Sequence, residues 1–405
     1  MSDKPAFVRR TLFDDVVRVL PEVEIWDCRG VCFDLFICAV GFEDRALEIP
    51  VKLAHEGAGE LTKESMAGLY ETNASDNRRN ADRIFAALRS IGPIVTEVGA
   101  DDPCQIQREV HAALQRLASG SRPINVGFDI SAASGTFILS VLGSLVSADQ
   151  EIALHVLYCE PAEYFPQRAA YDAKLDELVT EALSDGDDTS FAEQGVAVVD
   201  VNELYPGVIL DSRSDHVIAI PSLRTSRLVG CLAHISDQPL ASPVDSVFWI
   251  LGEPPATSMK WRLDLQKRIV NHQLATMVGR EVGETGAPAL CEANHAQCST
   301  RDYREILRIL LGRIDERAGE NIWLVNMGSK LQTVGVALAA AVRGELAILR
   351  SRPRRFNAEK YSHGVSSLWR IRFPAFNKTL NELQRIGRLH LETKIETSRE
   401  GRPEG

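Results

Sequence analysis

The chain has 405 residues, 45% hydrophobic and 25% charged, with a formal net charge of −11. That length exceeds one ordinary domain core and sets an expectation of two or three domains, while the acidic balance argues against broad, sequence-independent adhesion to nucleic acid. No apolar run reaches bilayer-spanning length and the start MSDKPAFVRR lacks a secretory apolar core, so a cytoplasmic protein without a membrane partner is expected.

From residue 33, FDLFICAV is a continuously apolar strand candidate, and GFEDRALEIPVKLAHEG then switches to helical spacing. MAGLYETN precedes helix SDNRRNADRIFAALRSI, PIVTEVGA precedes helix PCQIQREVHAALQRLAS, and PINVGFDIS precedes helix GTFILSVLGSLVSA, before strand IALHVLYCEP. Continuous apolar strands alternating with amphipathic helices predict a parallel sheet covered on both faces. A second pass starts at DHVIAIPSLRTSRLVGCLAHIS and runs through SVFWILGEPP, helix MKWRLDLQKRIVNHQLA, strand PALCEANH, helix TRDYREILRILLGRI, strand NIWLVNMGS, helix KLQTVGVALAAAV and strand LAILRSR. The expectation is an α/β protein of two doubly wound Rossmann-like lobes, mostly parallel, from an internal duplication. Three pairs mark it: Arg45 with Arg227 after the first strand, Arg108 with Arg304 opening the third helix, and Asp129 with Asn326 ending the fourth strand. The expected division is a first lobe over 1–175, a linker with an acidic loop over 176–212, a second lobe over 213–374, and a C-terminal helix with a charged tail over 375–405. LWRIRF at 368–373 reads as a strand.

In open parallel sheets, ligands sit beyond the carboxyl ends of the strands, where helix N-termini also point. The unusual residues of this chain cluster there. DISAASGT and NMGSK follow the fourth strands; their small residues let backbone N–H groups approach an anion, and the next helix adds a favourable dipole. Asp129, Ser134, Gly135 and Thr136 in one half, and Asn326, Gly328, Ser329 and Lys330 in the other, are candidate phosphate-binding residues. The loops have neither Walker-type nor GxGxxG spacing. Arg45 in GFEDRA is a candidate anion ligand or the partner of Glu43 and Asp44 in a charged helix start, and SLRTSR adds Ser222, Arg224 and Arg227 at the equivalent place. Asn73 and Asp76 read as helix N-caps, and Pro254 and Pro255 as stiffeners of their loop. In EANHAQCSTRDY, His295 and the loop thiol Cys298 form no complete catalytic set, and Ser299 or Thr300 reads as an N-cap. The basic run RSRPRRF at 350–356 is a candidate phosphate contact. The eight cysteines lack knuckle spacing, so reduced thiols and no metal or cofactor are expected, and no catalytic residue is assigned.

A strand ending in Asp or Asn, then a small-residue turn with glycine, hydroxyl and lysine, then a helix, resembles the TGGTK-type motif of CRISPR-associated Rossmann-fold sensor domains. NMGSK keeps the glycine, hydroxyl and lysine in order; SAASGTF keeps Gly135 and Thr136 but has Phe137 in the lysine's place. The resemblance implies a sensor of nucleotide signals such as cyclic oligoadenylates in bacterial antiviral defence. Lys330 would face the phosphates, and a separate effector protein would deliver the output. NVGFDISAASGT also resembles the phosphoribosyl-diphosphate loop of phosphoribosyltransferases, implying as an alternative a nucleotide-acting enzyme with Asp129 at the ribose. A non-catalytic scaffold subunit is the third reading, and direct nucleic-acid binding through the 350–356 cluster is not favoured.

Overall fold

The computed structural model describes residue 17 and residues 20–387, except 57–60, 119–121, 185, 187–188 and 236–245. The MSDKPAFVRR start, part of the acidic loop and the tail beyond 387 lie outside the described residues.

In the first lobe, strands β2 (Phe33–Val40), β3 (Thr62–Leu69), β4 (Ile94–Gly99), β5 (Ile124–Asp129) and β6 (Ile152–Cys159) pair in parallel in the order β4-β3-β2-β5-β6. The second lobe repeats this with β10 (Asp215–Ile220), β11 (Val247–Glu253), β12 (His295–Ser299), β13 (Asn321–Asn326) and β14 (Leu346–Arg352), in the order β12-β11-β10-β13-β14. These are two Rossmann-like lobes with identical strand order. Every residue of β2 is buried, and all are apolar except Asp34, whose carboxylate is paired with Arg122 and Lys63.

Helices α1 (Arg45–Glu56) and α2 (Ala74–Ile91) cover the outer face of the first sheet; α3 (Pro103–Leu117) and α4 (Gly135–Val146) cover its inner face. After α5 (Arg168–Leu183), the second lobe puts α6 (Ser226–Ile235) and α7 (Trp261–Met277) outside, and α8 (Tyr303–Glu316) and α9 (Lys330–Val342) inside. Helices α4 and α9 pack on each other, so the two inner faces merge into one core that holds Phe137, Leu142, Ile306, Leu310 and Val336 together. Apolar burial is roughly proportional to stabilisation, so a core shared in this way ties the lobes into one folding unit.

A sixth strand is exchanged between the lobes. Strand β9 (Val198–Pro206) follows the first lobe in sequence but pairs antiparallel with β14 at the edge of the second sheet. Strand β17 (Leu368–Phe373) follows the second lobe but pairs antiparallel with β6, and β1 (Glu24–Ile25) adds to its far side. The stretch 176–212 therefore holds the end of α5 and a sheet strand, and the sheets do not divide along the expected domain boundaries. Residues 376–387 form a further helix whose Phe376, Leu380 and Leu383 join the shared core.

Three local expectations are corrected. The third strand of the second lobe is 295–299, not PALCEANH: the Asn294 side chain closes a turn, donating to Ala289 O and accepting from Cys291 N, which takes the chain out of the sheet until His295. Arg108 lies mid-helix; the residues that open α3 and α8 alike are the N-caps Asp102 and Asp302, and Asp302 takes the role expected of Ser299 or Thr300. Asn73 precedes α2 in a left-handed conformation at φ 59° without capping it, because its amide is bonded to Asp76 and to the Phe356 backbone.

Candidate functional site

One cavity of about 480 Å³ lies between the lobes. The loops beyond the carboxyl ends of all five parallel strands of each lobe contribute to it. Residues 353–366 form part of its wall with Phe356 and Tyr361. This segment is held by two short ribbons, β15 (Arg355–Phe356) with β8 (Glu193–Gln194) and β16 (Ser362–His363) with β7 (Glu163–Tyr164).

Two tight turns set the cavity floor. A Cβ at Gly41, just past β2, would fall 2.7 Å from the Ala132 Cβ, so the bare glycine lets the turn after β5 lie beside the end of β2. Gly328 plays the same part after β13, where a Cβ would meet Ile220 and Gln332 at 2.7 Å. The next residues start the two inner helices. Ser134 Oγ accepts from Phe137 N (3.1 Å), and Ser329 Oγ accepts from Gln332 N (3.1 Å) while Gln332 Oε1 accepts from Ser329 N (2.8 Å), a complete capping box. Both helix N-termini, with their positive dipole ends, thus border the cavity through Gly135, Thr136 and Lys330. Asn326 lines it too, held by Thr333 Oγ1 (3.0 Å) and Gly328 N (3.3 Å).

Asp129 and Asn326 end the fourth strands alike, as expected, and the equivalence resumes at the N-caps Ser134 and Ser329 after turns of unequal length, residues 130–133 in one half and 327–328 in the other. The residue matching Lys330 is Gly135 rather than Phe137, which is buried in the core.

Lys330 reaches across the lobe boundary, donating from Nζ to Ala133 O (2.7 Å). Burial and the nearby Arg45 pull its ammonium down to about 8. Arg45, the first residue of α1, is 2% exposed and forms a buried ion pair with Glu43 (Nη2–Oε2 2.6 Å); Nη1 donates to Tyr158 Oη (3.2 Å). Glu43 also accepts from Ser362 Oγ, and Asp44 from Gly364 N, so both acids secure the 353–366 segment.

Several expected ligands are occupied by the fold. Asp129 is 2% exposed, absent from the cavity lining, and its Oδ1 accepts from Ser131 N (2.8 Å) and Ser131 Oγ. Burial pushes its carboxyl up to about 6 against those hydrogen bonds. It shapes the turn from beneath, so the acid expected at a ribose is turned to the backbone. Arg224 borders the cavity but is 1% exposed, donating to Thr189 Oγ1 and to the carbonyls of Ser184, Gly186 and Glu193. Arg227 forms a two-point pair with Glu193, which also accepts from Ser222 Oγ. These two arginines fasten the connector between α5 and β8. Cys298 is 3% exposed within β12; Gln332 Nε2 donates to its sulfur, and burial pushes the thiol up to about 12, which removes it as a nucleophile.

Sequence reasoning missed other wall residues. Arg262 donates to the Phe165 and Pro166 carbonyls and stacks on Tyr164 and Trp261; Arg301 pairs with Glu160 and lies 3.8 Å over the Trp369 ring. Neither arises from a local motif. Of the basic run, Arg350 and Arg352 line the cavity, Arg350 paired with Asp200. In all, nine cationic and four acidic side chains line this cavity, inside a chain whose net charge is −11. The cavity is therefore locally inverted in charge, an arrangement that favours an anionic guest. Among the described residues no cluster of three or more His, Cys, Asp or Glu is placed to hold a metal ion, and no helix is long and apolar enough to cross a membrane.

No family model matches the chain, and no curated protein matches it. Among solved structures it is similar to a Type III CRISPR defence DNA nuclease activated by cyclic oligoadenylate, with a TM-score of 0.43 and 10% identity. The match covers 75% of this chain and 63% of that one, so the chain spans less than two thirds of that nuclease.

Proposed function

We propose that the protein binds a phosphate-bearing nucleotide between its two lobes and passes the signal to a separate effector protein. The observation that carries this reading is the convergence of both fourth-strand turns on one cation-rich cavity, with Lys330 crossing from one lobe to the turn of the other. Phosphate oxygens would take the free positive field at the two helix N-termini, with Lys330 as a charge-assisted donor. At about 480 Å³ the cavity lies in the range that encloses small ligands. The likeness of the NMGSK turn to CRISPR-associated sensors extends the proposal to a cyclic oligonucleotide ligand and a setting in antiviral defence. With Asp129 bonded to Ser131, a phosphoribosyltransferase reading has no acid free for the ribose.

The test is calorimetric titration of the full chain with cyclic di-, tri- and tetranucleotides, with Lys330→Ala as control. Saturable 1:1 binding that weakens in the variant supports the reading. Absence of binding across the panel, or binding indifferent to Lys330, rejects it.

A further inference from the structure

Away from Lys330 the cavity has a corner of different chemistry. Asp101 follows β4, which lies two strands from β2 and hence roughly 10 Å from the strand end that carries Arg45. Arg350 Nη1 donates to Asp101 O (3.2 Å), which seats Asp101 against the β9–β14 edge of the other lobe. Arg350 stands opposite Asp200 in that ladder. Two-residue periodicity puts Arg352 on the same face as Arg350, and Asn202 follows Val201 at the point where the ladder shifts register. Asp101, Asn202 and Arg352 all line the cavity.

Each of these three side chains keeps one buried polar atom without a hydrogen-bond partner: Asp101 Oδ2, Asn202 Nδ2 and Arg352 Nε. The Asn202 amide is oriented by its other end, since Oδ1 accepts from Leu204 N (3.0 Å), which leaves Nδ2 as the unused donor. Buried polar groups are almost always paired, and three unpaired ones along one cavity need a partner. The set offers an acceptor and two donors. A phosphate is a poor match, because with Arg350 paired to Asp200 the charges of Asp101 and Arg352 offset each other and the corner offers no net positive charge. The edge of a nucleobase, which is uncharged and presents donors and acceptors side by side, is a good one.

We infer that Asp101, Asn202 and Arg352 read the base of the ligand whose phosphate lies near Lys330. The inference rests on the nucleotide reading above. It assigns base selectivity to these residues and phosphate affinity to the helix N-termini.

The experiment titrates the full chain with adenosine, guanosine, cytidine and uridine 5′-diphosphates and with two base-free probes, ribose 5-phosphate and pyrophosphate. At least one base-bearing compound should bind about tenfold or more tighter than either base-free probe. Asp101→Asn should remove that advantage and reorder the bases without lowering base-free affinity; Arg352→Gln is the second variant, and each is checked by thermal melting. Base-free probes that bind as well as the nucleotides would overturn the inference while leaving the phosphate site standing. So would variants that weaken all ligands alike. If no compound binds here while a cyclic nucleotide does, the inference fails and the nucleotide reading stands; if neither panel binds, the nucleotide reading itself fails and takes this inference with it.

Discussion

Lys330 gives a test that separates a binding residue from a structural one. Its ammonium falls from 10.5 to about 8 in the folded protein, a penalty of up to about 3 kcal/mol at 1.36 kcal/mol per pH unit. Its hydrogen bond to Ala133 O returns about 1 kcal/mol. Lys330→Met keeps the apolar stem and removes the charge, so the variant should be about 1–2 kcal/mol more stable than the wild type at pH 7. Below about pH 8 both folded and unfolded wild-type chains hold the proton, and the whole penalty is present. Between about 8 and 10.5 the unfolded chain still holds it while the folded chain has lost it, so the wild type gains stability as pH rises and the advantage of the variant shrinks. Urea denaturation of both proteins at several pH values from 6.5 to 10 measures the difference directly. In the same variant, anion binding should fall by at least about tenfold, since a charge-assisted hydrogen bond contributes roughly 1.5–3 kcal/mol. A variant less stable at pH 7, or a stability difference that stays flat through pH 10, would refute the account of Lys330 as a residue held at a cost to the fold.

Glu43→Gln leaves the buried Arg45 guanidinium without its counter-charge and should cost about 3–5 kcal/mol in denaturant titrations; the double change with Arg45→Met should recover most of that loss. Because β9 and β17 are exchanged, fragments 17–212 and 213–387 expressed alone should each lack a sheet edge and show little cooperative unfolding, whereas co-expression should restore a folded complex, read by circular dichroism and size exclusion. Gly135 has open space around its Cβ position, so Gly135→Lys should fold and place a second ammonium at the matching helix start. It should tighten binding of a symmetric cyclic dinucleotide several-fold, with a steeper dependence on salt in calorimetry. Ellman's reagent should titrate three thiols in the native protein, Cys32, Cys104 and Cys291, and all eight after unfolding; reaction of Cys298 in the native state would contradict its placement in β12.

The parallel strands were legible because burial on both faces leaves an unambiguous mark: FDLFICAV and NIWLV have no room for a solvent-facing polar residue. The helices between them, and the strand at 368–373, follow from periodicity and run length. The partner of an edge strand carries no such mark. VVDVNELYP pairs with β14 and LWRIRF with β6 because of where the chain crosses between lobes, a tertiary choice that local pattern does not encode. PALCEANH has strand-like composition, and only the reach of the Asn294 amide back to Ala289 and Cys291 turns it into a loop. At the cavity, motif reasoning located the turns but not their occupants. It singled out Asp129, which bonds to its own turn, and missed Arg262, Arg301 and Asp101, which enter from helix and strand ends far apart in sequence.

The two halves share strand order and serine caps, yet they differ where the ligand would touch them. One turn is longer by residues 130–133 against 327–328, and Lys330 stands where the other half has Gly135. A homodimer would have to present the same residue at both positions; a duplicated chain is free to vary one. The cross-lobe bond from Lys330 Nζ to Ala133 O shows what that freedom produces: the lysine of one half stands over the turn of the other, and no reciprocal lysine exists to compete with it. A guest in this cavity meets one ammonium beside one helix start and only backbone and hydroxyl donors at the other. On the reading proposed above, the phosphate of a cyclic ligand that lies at Lys330 would be held more tightly than the one at the Gly135 helix start, and the corner at Asp101 would add a third, differently built contact.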